Sequence, residues 1–379
     1  MPPLIITCPR GAESVLADEV RALGLPVRAT FDTAVESEGV WADGLRLCLE
    51  LRTAHRILLG WRPFQADSPD ELYRALTALP WEDILFPDGY VCITSFADHP
   101  SIRDPRFATL KIKDALVDRM VNACGRRPDS GPDRENAVVH VHWEGGRGHV
   151  YFDLSGQPLN RRGYRLEPMG APMIETLAAA CVLHSPFRGE GAFVNPMCGS
   201  GTIAIEAALL ATQRAPALTR RNFGFMHLRP FREVEWKNLR KDAQARIRPA
   251  PARILASDHN PDAVAAARRN AEAAGVLNDI TFATCDFRET EMPPAPGVVM
   301  LNPEYGHRMG DETALAADYK ALGDFLKQKA NGYWGYVFTG NLRLAKAVGL
   351  RSKRRLTLFN AQLECRLLEF ELYAGTRDP

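Results

Sequence analysis

The apolar positions change period partway along the chain. "LIITC", Leu4 to Cys8, is a short run of strand formers, and "AESVLADEVRALG" behind it spaces its apolar residues helically. That opening predicts a mixed α/β unit over residues 1–60. A second small unit is expected over 61–155. There "GYVCITSFA" reads as a strand, "RFATLKIKDALVDRMVNAC" as an amphipathic helix, and "AVVHVHWEGGRGHVYFDLSG" as a hairpin turning at Gly145-Gly146. Regularity then breaks in "SGQPLNRRGYRLEPMGAP", whose Gly and Pro mark a linker, taken as 156–170.

From residue 171 to 379 strands and helices alternate. The pattern runs helix 172–184, strand "AFVNP", helix 201–212, strand "ARILASD", helix 261–274, strands "ITFATCD" and "GVVMLNP", helix 313–330, strand "GYVFTG". Such alternation implies βαβ units on a largely parallel α/β sheet. Ligands of these sheets bind beyond the carboxyl ends of the strands. Here those ends are Asn195-Pro196, Asp258, Asp286 and Asn302-Pro303. Polar residues closing four consecutive apolar strands are the strongest pattern in the chain.

Composition narrows the class without changing this picture. The chain has 379 residues, 46% hydrophobic and 25% charged, as expected of a globular protein with more than one core. No run of about 18 apolar residues occurs, so no membrane span is expected, and the first residues lack the basic and apolar regions of a secretory leader. Eight scattered cysteines without a C-x-x-C pair point to reduced thiols, a cytoplasmic setting and no metal. The net charge of +1 conceals an asymmetry: residues 1–100 carry 8 Lys/Arg against 15 Asp/Glu, whereas 101–250 carry 23 against 15. A basic middle segment suits a polyanion. The candidate phosphate contacts are Arg106, Lys111 and Lys113 on one helix, Arg161, Arg162 and Arg165 in the linker, and Arg308. Charge alone equally allows a solvated helix face.

"FVNPMCGSGTIAIEAAL" is strand, glycine loop and helix. Gly199 and Gly201 permit close approach of backbone to ligand, and the helix N-terminus offers free N–H groups. Gly199 to Ala204 also fits a dinucleotide fingerprint, which requires an acid about 20 residues on. That region reads "APALTRRNF" and has none. The acid at the second strand's end is Asp258, so a carboxylate-held ribose fits better than a pyrophosphate. Asp258 equally suits a cap for the helix beginning at Pro261. His140-Val-His142 lacks further ligands for a metal, and Cys198 lacks a partner base.

The glycine loop, Asp258, Asp286 and "NPEY", in this order, resemble the motifs of class I S-adenosylmethionine-dependent methyltransferases. "NRRGYR", "APMIETLAAACVL", "NPMCGSGTIAIEAALLATQRAP", "LNPEYGHRMG" and "LFNAQLECRLLEF" resemble the THUMP-containing bacterial RNA guanine-N2 methyltransferases. The likeness is to the N-terminal half of the large-subunit rRNA enzymes of that family. It implies a ferredoxin-like unit, a THUMP RNA-binding domain and a Rossmann-like methyltransferase domain, with rRNA, or else tRNA, as partner.

The same resemblance implies roles. The loop around Gly199 and Gly201 would pass the methionine part of the cofactor, Asp258 would accept from its ribose hydroxyls and Asp286 would meet its adenine amine, with Asn195, Met197, Thr202, His259 and Phe287 also in the cofactor site. Asn302 would lie beside the cofactor and, with the Pro303 carbonyl, accept hydrogen bonds from a guanine amine, and Tyr305 would stack on the extruded base. Two positions depart from the family pattern. Glu304 replaces the second proline of Asn-Pro-Pro-Tyr, so the Pro303 carbonyl is less rigidly aimed. Asn195 stands where an aspartate is usual, which removes a charge near the cofactor's amino group. A non-catalytic RNA-binding factor and a DNA amino-methyltransferase are the competing readings.

Overall fold

A computed structural model describes residues 1–102, 104–167, 173–306 and 311–373, except for the side chains of 105 and 311–314. Arg308 lies outside the described residues. The N-terminal part contains β1 (Pro3–Thr7), α1 (Glu13–Ala22), β2 (Val27–Phe31), β3 (Ala34–Glu38), α2 (Trp41–Glu50), β4 (Arg56–Gln65), α3 (Pro69–Thr77), β5 (Tyr90–Asp98), α4 (Pro105–Cys124), β6 (Asp129–Ser130), β7 (Ala137–Glu144) and β8 (Arg147–Asp153). Among the described residues its strands make one eight-stranded sheet, ordered β2-β3-β1-β4-β8-β7-β5-β6.

Residue 60, where the first unit was expected to end, lies inside β4. That strand pairs antiparallel with β1 on one side and with β8 on the other, the β8 pairing shifting register between Gly60 and Arg62. The two small units therefore share one sheet through a single long strand. The hairpin of β7 and β8 turns at Gly145 and Gly146, whose φ values of 53° and 81° match a two-residue primed turn. The Asp104 carboxylate caps α4 by accepting from the Arg106 amide at 2.9 Å, and Gly125 ends the helix at φ 69°.

The C-terminal part contains α5 (Glu175–His184), β9 (Ala192–Pro196), α6 (Thr202–Ala211), α7 (Glu233–Ala245), β10 (Arg253–Asp258), α8 (Pro261–Ala274), β11 (Ile280–Thr284), β12 (Gly297–Leu301), α9 (Asp311–Lys329), β13 (Tyr333–Thr339), α10 (Leu342–Ala347), β14 (Arg354–Asn360) and β15 (Leu363–Glu371). Among the described residues its sheet has seven strands, ordered β11-β10-β9-β12-β13-β15-β14. β9 to β13 are parallel, as the alternation predicts, and the hairpin of β14 and β15 adds an antiparallel edge. Buried on both faces, β12 alternates its contacts. Val298 and Met300 meet the core that also holds α5, α6 and α8, while Val299 and Leu301 meet α9 and α10.

Two compact units result. One comprises residues 1–8, 17–159 and 220–241, the other 9–16, 160–219 and 242–379. Most of the basic insertion after α6 thus belongs to the first unit, although the sequence pattern ran it into the second. Arg220 holds it there by donating to the carbonyls of Ser155, Gln157 and Pro158 at 2.7–2.8 Å. Trp236 packs edge-on against Phe223 and Phe225.

Candidate active site

The four polar strand ends lie on four neighbouring strands. In sheet order they are the segment after β11 with Asp286, β10 with Asp258, β9 with Asn195, and β12 followed by Asn302. The chain winds outward in one direction from β9 through β10 and β11 and returns on the other side as β12 and β13. The crevice between β9 and β12 is therefore the topological switch point.

Hydrogen bonds join these ends. The Gly199 amide donates to Asp258 Oδ2 at 2.9 Å, and the Asn260 amide donates to Asp258 Oδ1 at 3.0 Å. The exposed His259 ring lies 3.5 Å from the same Oδ1. Asn195 is fully buried; its Nδ2 donates to the Met300 carbonyl at 2.8 Å, and its Oδ1 has no partner among the described residues. A buried acceptor left this way costs about 1–3 kcal/mol.

The loop itself is contorted. Met197, Gly199 and Gly201 all have positive φ, of 58°, 53° and 84°. Only methionine among them carries the steric penalty of that region, and such outliers gather at functional sites. A Cβ on Gly199 would meet nothing within 4 Å, whereas one on Gly201 would sit 2.9 Å from Ala267 Cβ. Gly201 thus serves helix packing and Gly199 borders open space. Thr202 is buried at the first turn of α6.

Asp286 carries a partner that the sequence reading missed. Arg288 grips it in a fork, Nε to Oδ1 at 2.8 Å and Nη2 to Oδ2 at 2.9 Å. This pairing holds the carboxyl below the usual aspartate range. The two-residue spacing on a tight turn was the available signal. The Phe287 ring is buried edge-on against Phe325, so its side chain serves the core.

In the Asn-Pro-Glu-Tyr turn, Pro303 is buried, Asn302 half-buried and Glu304 exposed. The Tyr305 hydroxyl donates to Asn302 Oδ1 at 2.6 Å, and its ring packs 6.2 Å from that of Phe338. One side of this half-buried ring therefore packs against the chain's own core. Its hydroxyl orients the Asn302 amide.

The expected RNA contacts divide. Arg106 is 91% exposed and lies 3.4 Å from Asp104. Lys111 pairs with Asp70 at 3.4 Å and lies over the rings of Tyr73 and Phe107, and Lys113 is half-buried on the same helix. Arg162 corrects the sequence reading: it is 1% exposed, with Nε 3.1 Å from Glu206 Oε1. Glu206 sits in the nearly all-buried α6, where an unpaired carboxylate would be prohibitive, so Arg162 and the Tyr164 hydroxyl at 2.8 Å answer it. Arg165 is likewise drawn inward, donating to Glu175 at 2.9 Å and to the Met173 carbonyl. Arg161 and Arg165 border a cavity of about 460 Å³ lined also by Asn160, Gly163, Ile174 and Glu175. In the basic stretch "RSKRR", Arg351 to Arg355, Lys353 pairs with Glu371 and Arg354 with Glu369.

The other candidates recede. Burial pushes the Cys198 thiol up, away from nucleophilic use. His140 bonds to Thr94 and His142 stacks on Phe96. Among the described residues no group of three or more His, Cys, Asp or Glu is placed to hold a metal, and no helix is long and apolar enough to cross a membrane.

A parallel sheet in this order, with a glycine loop at its switch point and an Asn-Pro turn on the adjoining strand, has the fold of the class I methyltransferases. SMU.472, solved with S-adenosylhomocysteine, aligns at TM-score 0.87 and 26% identity over 100% of this chain and 99% of its own. A predicted N6-adenine-specific DNA methylase from Listeria monocytogenes aligns at 0.87 and 28% identity over 99% and 96%. The chain belongs to the RMKL-like methyltransferase-domain family, whose profile matches residues 162–369. The RlmL ferredoxin-like and THUMP domain profiles match residues 3–58 and 66–153. The ribosomal RNA large subunit methyltransferase K/L of Syntrophotalea carbinolica is 37% identical over 97% of this chain and 53% of its own length. The chain thus spans about half the length of the curated relatives it matches.

Proposed function

We propose that this chain transfers a methyl group from S-adenosylmethionine to the exocyclic N2 of a guanine in large-subunit rRNA, in the cytoplasm. The carrying observation is the row Asp286, Asp258, Asn195 and Asn302 on four adjoining strand ends, with the glycine loop tied to Asp258. The bound cofactor supplies a methyl already activated on a sulfonium, so the protein's task is chiefly to position and desolvate.

The residues present fit that group. Asp258 spends one lone pair of each oxygen on an amide N–H and keeps acceptor capacity for two ribose hydroxyls. The unpartnered Asn195 Oδ1 suits an ammonium donor, neutral though it is. Gly199 leaves room for a ligand where a side chain would intrude. Asp286, kept charged by Arg288, fills both sites of Oδ1 with the Arg288 amide and Nε and retains one lone pair on Oδ2 for an adenine amine. Asn302 Oδ1, oriented by Tyr305, has a second lone pair for the guanine N–H, and the Pro303 carbonyl is the other acceptor. Accepting those protons helps direct the amine lone pair toward the methyl.

The THUMP-matching segment favours RNA over duplex DNA. The test is tritiated S-adenosylmethionine with undermodified rRNA, tRNA and DNA, followed by nucleoside mass spectrometry. N2-methylguanosine in rRNA is the expected product. Label in tRNA or DNA alone would reassign the substrate, and label in none, with folded protein, would leave the non-catalytic reading.

A further inference from the structure

The Asn-Pro-Glu-Tyr turn lacks the second proline that would restrict residue 303 and so aim its carbonyl. The structure supplies anchors from elsewhere. Tyr319, fully buried on α9, directs its hydroxyl at the Glu304 carbonyl at 3.1 Å and at Thr339 Oγ1 at 2.7 Å. A phenol has one proton, and a carbonyl can only accept, so Tyr319 donates to Glu304 and Thr339 donates to Tyr319. Thr339 Oγ1 in turn accepts from the Asn341 amide at 3.1 Å. The result is one directed relay from Asn341 through Thr339 and Tyr319 to the Glu304 carbonyl.

A second anchor starts at the same place. Asn341 Nδ2 donates to the Tyr305 carbonyl at 3.1 Å, while its Oδ1 caps α10 through the amides of Arg343 and Leu344. The carbonyls of Glu304 and Tyr305 are thus both tied to the end of β13, and Tyr305 returns the constraint to Asn302 through its hydroxyl. The 303–304 peptide is bracketed between these fixed points. Burial pushes the Tyr319 hydroxyl up to about 12, so it remains a donor at neutral pH.

We propose that Tyr319 and Asn341 are positioning residues that aim the Asn302 and Pro303 acceptors at the target amine, replacing the rigidity a proline at 304 would give. Resting as it does on the methyl-transfer reading above, the idea calls for a test that separates the two. Tyr319→Phe should lower kcat roughly 10–100-fold, the scale of a small misplacement of reacting groups, with KM for S-adenosylmethionine unchanged. In the Glu304→Pro background the same substitution should cost no more than about threefold, because proline restores the restriction. Thr339→Val, which removes only the relay's middle hydroxyl, should give an intermediate loss. Amide exchange at Glu304, Tyr305 and Gly306 should quicken in Tyr319→Phe without any change in the donor-binding loop, and this readout does not depend on turnover. Equal penalties in both backgrounds, or unchanged exchange, would overturn the clamp. Quickened exchange in Tyr319→Phe beside a wild type that methylates no RNA would instead overturn the functional reading and leave the clamp standing.

Discussion

Gly199 and Gly201 occupy one loop at φ 53° and 84°, yet alanine at each should change a different property. A left-handed non-glycine residue costs roughly 1–2 kcal/mol. At 201 the new Cβ would lie 2.9 Å from Ala267 Cβ and 3.3 Å from its Cα, on the buried side of α8. Relieving that contact adds about 1–3 kcal/mol, for a total near 2–5 kcal/mol of lost stability. At 199 no atom lies within 4 Å, so only the backbone cost applies. The open space at 199 is, however, where the proposed donor would pass. A methyl forced into that contact should weaken binding by about 1–3 kcal/mol, or roughly 5–150-fold in Kd. Urea unfolding followed by tryptophan fluorescence reads the first effect, and calorimetry with S-adenosylhomocysteine the second. Gly199→Ala with wild-type affinity would refute the placement of the loop against the donor. Gly201→Ala as stable as Gly199→Ala would refute the packing argument.

Further outcomes follow from the same contacts. Asn302→Ala should reduce kcat about 10²–10³-fold, the usual loss for one preorganised polar group at a reacting centre, with donor affinity little altered; equal kcat would remove Asn302 from the chemistry. Arg162→Met removes the counter-charge of the buried Glu206 carboxylate and should destabilise its unit by about 3–5 kcal/mol, while the folded fraction binds RNA as before; a selective loss of RNA affinity in filter binding would restore Arg162 to the RNA surface. Burial lowers both His140 and His184 from 6.5 to about 4. Each therefore contributes stability that is present above pH 6.5 and lost as pH falls toward 4, up to roughly 3 kcal/mol apiece. Melting temperatures at pH 7 and 4.5 should diverge less in His140→Asn and in His184→Asn than in wild type, and an unaltered divergence would contradict this.

The sequence alone was enough for whatever depends on near neighbours. Period-2 and period-3.6 apolar runs placed β9 to β13 and their helices, and the polar residues closing those strands were visible because a strand's end is a local event. Asn302, Asp258 and the two loop glycines were legible for that reason. Tertiary structure decided the rest. Nothing near residue 60 says that β4 will serve two modules, since strand pairing is chosen by distant edges. "NRRGYR" looks like a basic surface until Glu206 on α6 is placed beside it; then Arg162 must go inside, because a carboxylate in an apolar helix needs a counter-charge. Glu304 read as a loss of rigidity because the Tyr319 hydroxyl that donates to its carbonyl lies on α9, outside the turn. Hydrophobic period is a short-range property of the chain, whereas the partner of a buried charge or carbonyl is known only when the whole chain has folded around it.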